Sequence, residues 1–142
     1  MGKSDSTVKH QPDIARLRSI FERYTDIQAV YLFGSMAAGT AHVGSDLDLA
    51  IVPRGPALRS RKVDLLADLA RHGFCDVDLL FLDSADIVTQ YEAVRLNWLI
   101  YEAEDFDRGA MYSTVVRQYL DFLPYLNVQR AAYKERILCG ER

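Results

Sequence analysis

Apolar residues recur at helical spacing from the first ordered-looking stretch of the chain. Ile14, Leu17, Phe21 and Tyr24 fall on one face, and Arg16, Arg18, Glu22 and Arg23 on the others. Pro12 can open this helix, and Thr25-Asp26 ends it. The period then changes. Ile27 to Phe33 is rich in β-branched and aromatic residues, reads as a strand, and stops abruptly at Gly34-Ser35. Residues 36–45 are small, which predicts one helical turn followed by a loop. From Asp46 to Val52 the pattern alternates: Leu47, Leu49 and Ile51 share one face, and Asp46, Asp48 and Ala50 the other. Pro53, Gly55 and Pro56 mark a turn. Leu58, Leu65, Leu66 and Leu69 form a second amphipathic helix, ended near Gly73.

Cys75 to Leu82 reads as a third strand, with Val77, Leu79 and Phe81 on one face and Asp76, Asp78 and Leu80 on the other. Residues 85–95 look helical, and Trp98 to Tyr101 is a short apolar stretch, either a fourth strand or a β-like arm. From about Asp105 the pattern is helical again, and Pro124 is expected to kink or split it. The order α-β-(short α)-β-α-β-α-(β)-α predicts an α+β domain, a small mixed sheet of three to four strands flanked by helices. Residues 1–12 are polar and read as a flexible N-terminus, 13–104 as the core, and 105–142 as a helical segment packing on the core, a partner or both.

The chemistry lies between residues 34 and 78. Asp46 and Asp48, at i and i+2 on a strand, point the same way with nothing between them. Asp76 and Asp78 repeat the arrangement on a strand expected beside it. Same-face residues on adjacent strands have Cβ atoms about 4.5–5.5 Å apart. Carboxylates that close repel and raise one another's pKa unless a cation joins them. Mg²⁺ suits one or two carboxylates completed by phosphate oxygens and water, and two such ions can flank a phosphoryl-type displacement. A further carboxylate can accept the proton of an incoming hydroxyl. Either Asp76 or Asp78 can serve; Asp78 is favoured, because Asp76 lies at the exposed start of its strand. Gly34 lets backbone approach a ligand, and Ser35 at a helix start offers donors to an anion.

Composition narrows the reading. The chain has 142 residues, enough for one compact domain with a core. Seventeen Lys and Arg against twenty Asp and Glu give a net charge of −3, which argues against a generally basic nucleic-acid binder. No apolar run approaches the length of a membrane span, and no secretory signal is visible, so the expected location is the cytoplasm. Cys75 and Cys139 make neither a disulfide framework nor a metal site.

The run Tyr31-Leu32-Phe33-Gly34-Ser35 followed by Ser45-Asp46-Leu47-Asp48-Leu49 resembles the minimal nucleotidyltransferases of the DNA polymerase β superfamily. So do Val77-Asp78-Leu79-Leu80-Phe81-Leu82, Tyr91-Glu92-Ala93-Val94 and Leu99-Ile100-Tyr101-Glu102. The resemblance covers roughly residues 14–104. The C-terminal segment with Tyr119-Leu120-Asp121 is similar to the MntA-type antitoxin branch of HEPN/MNT toxin–antitoxin systems. The resemblance implies a nucleotidyltransferase fold and Mg²⁺-dependent transfer of AMP from ATP with release of pyrophosphate. It assigns the metal to Asp46, Asp48 and Asp78, the base step to Asp78, and the nucleotide to Gly34, Ser35 and Ser45. For the antitoxin branch it implies a HEPN-domain RNase toxin as partner, adenylylated on a tyrosine and so silenced without contact to RNA. Two alternatives stand beside it: transfer to a small-molecule hydroxyl, and neutralisation by binding alone.

Many members carry a large or cationic residue after Gly-Ser, where this chain has Met36-Ala37-Ala38. Arg54, Arg59, Arg61 and Lys62 could supply the missing charge or form a solvated basic face, the second being the more ordinary outcome. His42 lies in the loop before Asp46 and could approach a nucleotide, although loop histidines are usually just exposed. The C-terminal third carries more apolar and aromatic side chains than one helix easily buries, which suggests a protein interface.

Overall fold

The computed structural model describes residues 13–39 and 46–135. The expectations for residues 1–12 and for Ser45, His42 and Cys139 lie outside that range. The elements are α1 (Ile14–Phe21), β1 (Ile27–Phe33), α2 (Gly34–Ala38), β2 (Leu47–Pro53), a 3₁₀ turn (Pro56–Arg61), α3 (Lys62–Arg71), β3 (Val77–Phe81), a short 3₁₀ turn (Leu82–Ser84), α4 (Ile87–Val94), β4 (Leu99–Glu102) and α5 (Arg108–Glu135). Most follow the sequence periodicity with ends moved by a few residues. The second helix divides into a 3₁₀ turn, led by Pro56, and α3. The apolar stretch near Trp98 is a true fourth strand. The segment around Pro124 is one continuous helix, so the expected split does not occur. Proline there removes one helical N–H, which leaves the Leu120 carbonyl without its i+4 donor.

The strands form one mixed sheet in the order β3-β2-β1-β4. β1 pairs antiparallel with β2 and with β4, while β2 pairs parallel with β3. A parallel pair needs a crossover, which α3 and its leading turn provide.

Alternation along β1 and β2, interrupted in β1 by a register shift between Ile27 and Ala29, gives the sheet two apolar faces. Ile27, Val30 and Leu32 of β1 and Leu47, Leu49 and Ile51 of β2 meet Leu17, Ile20 and Phe21 of α1 and Leu65 and Leu69 of α3. Helix α1 starts where the Asp13 side chain accepts a hydrogen bond from the Arg16 N–H at 3.2 Å. Its i, i+3, i+4 spacing drops Leu17, Ile20 and Phe21 onto the sheet, all fully buried. Leu17→Ala is expected to cost about 2–5 kcal/mol of stability, read from urea unfolding midpoints. The opposite face carries Ala29, Tyr31, Ala50 and Val52 under Ala93 and Val94 of α4 and Val115 of α5. Asp48 belongs to this second face, two residues before Ala50.

Tyr31 is fully buried on the second face, and its hydroxyl has no hydrogen-bond partner among the described residues. Burial pushes that phenol up to about 12. An unpaired buried hydroxyl costs stability, so Tyr31→Phe is expected to leave the melting temperature unchanged or raise it, by up to about 1 kcal/mol of stability.

Candidate active site

The site forms where the end of β1 meets the start of β2. Because these strands run antiparallel, Phe33 pairs with Asp48, and the chain leaves β1 at Gly34 directly beside that carboxylate. Gly34 has φ +74°, a left-handed conformation that favours glycine. A Cβ at Gly34 would lie 2.0 Å from the Asp48 Oδ2, so the absence of a side chain is what makes room for the carboxylate. Ser35 follows, half-buried, in the first turn of α2. Among the described residues no side chain caps that turn. Gly39, also left-handed, ends it.

On its other side, Asp48 is in parallel register with Asp78 of β3. Asp46 stands exposed just before β2, and the Leu47 N–H donates to the Asp76 carbonyl at 2.9 Å. Asp76 is exposed and precedes β3, whereas Asp78 lies within it. Asp48 is half-buried, and its pKa is raised by burial first, then by the negative charges of Asp78 and Asp46. The three aspartates therefore form one electrostatic cluster centred on Asp48.

Among the described residues no three Asp, Glu, His or Cys side chains stand as a ready-made metal cage. The donor chemistry nonetheless fits Mg²⁺. Carboxylate oxygens are hard ligands, the cluster already carries an electrostatic cost that a cation relieves, and Mg²⁺ takes part of its shell from phosphate and water.

The basic residues after β2 are not part of this arrangement. Asp48 and Arg54 are six residues apart along the strand direction, about 20 Å at strand rise. Arg54 makes a paired contact to Asp105 at 2.8 and 3.1 Å and donates to the Thr25 carbonyl. Arg59 pairs with Asp83 at 2.6 Å, and Arg61 lies over the Tyr24 ring. These arginines brace loops on the surface and do not offset the small residues at 36–38. Arg59→Ala is expected to leave nucleotidyl transfer within about twofold of the parent, measured as initial rate.

The steric role of Gly34 toward Asp48 is the feature the sequence reading missed. The motif suggested a glycine facing phosphate; only the pairing of Phe33 with Asp48 brings that glycine against the carboxylate.

The family model described as Polymerase beta, Nucleotidyltransferase matches residues 15–106, from α1 through β4. The chain belongs to this nucleotidyltransferase family. It is also 37% identical over 89 residues to the protein adenylyltransferase MntA of Shewanella oneidensis, a match covering 63% of this chain and 64% of that protein. The matched region thus spans a little under two thirds of the relative. Among solved structures, a toxin–antitoxin crystal structure with AMP-PNP superposes with TM-score 0.70 at 23% identity, over 90% of this chain and 100% of the other. A complex of tri-AMPylated Shewanella oneidensis HEPN toxin with MNT antitoxin gives TM-score 0.63 at 20% identity, over 89% and 96%. These two share the fold of this nucleotidyltransferase. None of the helices described is long and apolar enough to cross a membrane.

Proposed function

We propose that this chain is an antitoxin nucleotidyltransferase that moves AMP from ATP to a tyrosine hydroxyl of a HEPN-domain RNase toxin and so silences it. The single observation that carries the reading is the packing of Asp48 between the bare α-carbon of Gly34 and its register partner Asp78. The likeness to a protein adenylyltransferase supports a protein as acceptor.

In this reading the Gly34-Ser35 turn, with Ser45, seats the triphosphate, and the uncapped N–H groups of α2 face it. Asp46, Asp48 and Asp78 would hold Mg²⁺, with one or two ions. When bound, Mg²⁺ supplies charge neutralisation for the phosphoryl oxygens and carboxylates. The tyrosine oxygen forms a bond to the α-phosphorus of ATP while the bond from that phosphorus to the bridging oxygen of pyrophosphate breaks. Asp78, exposed at the rim, accepts the tyrosine proton. Asp48, half-buried and locked between strands, fixes the geometry. In this reading the acceptor reaches the aspartates as part of a folded partner, without contact to RNA.

Incubating the chain with ATP, Mg²⁺ and the co-expressed HEPN-domain protein, then measuring the partner's intact mass, tests this. The reading requires increments of one AMP unit on a tyrosine. Labelling of small hydroxyl compounds with the partner unmodified would replace it with small-molecule transfer.

A further inference from the structure

Among the described residues, the buried contact of helix α5 with the domain lies in its first half. Val115 is the last buried residue of the helix among those described, and Tyr119 stacks on Tyr91 of α4 with ring centroids 3.9 Å apart and planes 3° from parallel. Beyond Tyr119 no side chain through residue 132 is buried. Yet this stretch does not have the composition of a solvated helix. Residues 109–133 contain no Lys and no Glu, and only Arg117, Asp121 and Arg130 are charged: three in 25 positions, against 26% for the whole chain. Loss of Lys and Glu with aromatic residues and Arg retained is the composition of a protein interface core.

The exposed apolar residues are also ordered. Tyr112, Val116, Leu120, Pro124 and Val128, exposed except for the half-buried Val116, follow one another at i+4 and form one ridge, about 24 Å long at helical rise. Leu120 is 57% exposed and Val128 68%. Tyr125, 68% exposed, borders it. An i±4 ridge is the surface that packs into the grooves of another helix at about −50°.

We propose that this ridge of α5 is the docking surface for an α-helix of the acceptor protein. The inference rests on the proposed function and deepens it. Helix α5 covers the same face of the sheet that carries Asp48, because Val115 packs with Tyr31 and Ala50. A partner seated on the ridge is therefore held on the side where the aspartates lie. Two arginines against one aspartate leave the ridge flanks positive, so the incoming helix presents apolar residues bordered by carboxylates. A symmetric pair of two α5 ridges crossing at that angle would bury well under the roughly 800 Å² per partner of a standard interface. This favours a larger partner that also meets the rim of the site.

A photo-crosslinking amino acid placed at Tyr125, in the full chain co-expressed with the HEPN-domain protein, tests the surface; the same group at Val63 on α3, 76% exposed on the opposite side of the sheet, is the control. The expected product is a chain–partner crosslink from position 125 and none from 63. The double variant Leu120→Lys/Val128→Lys is expected to raise the partner concentration for half-maximal AMP transfer by roughly a hundredfold. Its circular dichroism should match the parent. Crosslinking between two copies of this chain, equal crosslinking from both positions, or unchanged half-saturation overturns the docking surface. Transfer by the parent alongside such a result leaves the proposed activity standing. A crosslink without transfer sinks the activity and keeps the surface.

Discussion

Asp48→Asn is expected to cut AMP transfer by about a thousandfold or more, while the variant folds and melts at the same temperature as the parent or higher. The two effects have one cause. Asp48 lies between strands with the charges of Asp78 and Asp46 directed at it, and burial and those charges raise its pKa above the ordinary 3.8. A carboxyl whose pKa rises on folding binds protons more tightly in the folded state. Stability contributed by its protonated form is present below about pH 3.8 and is lost as pH climbs through the raised folded value. At neutral pH the full repulsion is felt, and the asparagine amide, nearly the same shape, removes it. Mg²⁺ adds a second reading independent of turnover. It should raise the parent's melting temperature by mass action and barely move that of Asp48→Asn. A fall in stability with Asp48→Asn, or an equal Mg²⁺ shift in both proteins, would show that the aspartates do not act as one cluster.

Gly34→Ala is the second large effect, and its contrast with Gly39→Ala separates two causes. Both glycines have left-handed φ, +74° and +80°, where an alanine costs about 1–3 kcal/mol of strain. Only at Gly34 does the new methyl also collide, at 2.0 Å from the Asp48 Oδ2; at Gly39 nothing lies within 4 Å. In urea unfolding Gly39→Ala should lose the strain alone, and Gly34→Ala should lose more, because the collision with Asp48 adds to it. Gly34→Ala should in addition lose about a hundredfold in transfer rate, since displacing a positioned group by about 1 Å has that scale of effect. Gly39→Ala should keep its rate within about threefold. Equal rates for the two variants would mean that Gly34 supplies only a turn.

Most of the fold can be read from the chain because each element's period matches its environment. Leu17, Ile20 and Phe21 needed only a 3.6-residue repeat, and Leu47, Leu49 and Ile51 only alternation. What could not be read depends on long-range pairing. Nothing local says that β4 lies beside β1 rather than β3, or that β2 and β3 run parallel. The choice between Asp76 and Asp78 turns on the same pairing, because register decides which carboxylate stands next to Asp48. The Arg54–Lys62 cluster, expected to be more ordinarily a solvated basic face, is placed by the same pairing. It is close to Asp48 in sequence but lies past the far end of β2, and Arg54 and Arg59 are spent on Asp105 and Asp83. Pro124 does not split the helix, because one lost hydrogen bond on an exposed turn is a smaller penalty than breaking a 28-residue helix.

The intact mass of the co-expressed HEPN-domain protein, taken with the parent chain and with Asp48→Asn in the presence of ATP and Mg²⁺, decides whether the aspartate cluster transfers AMP to the partner. Mass steps of one AMP unit, located on tyrosine, are expected with the parent, and an unmodified partner with the variant. An unmodified partner with both proteins, or equal modification with both, would contradict transfer by the cluster.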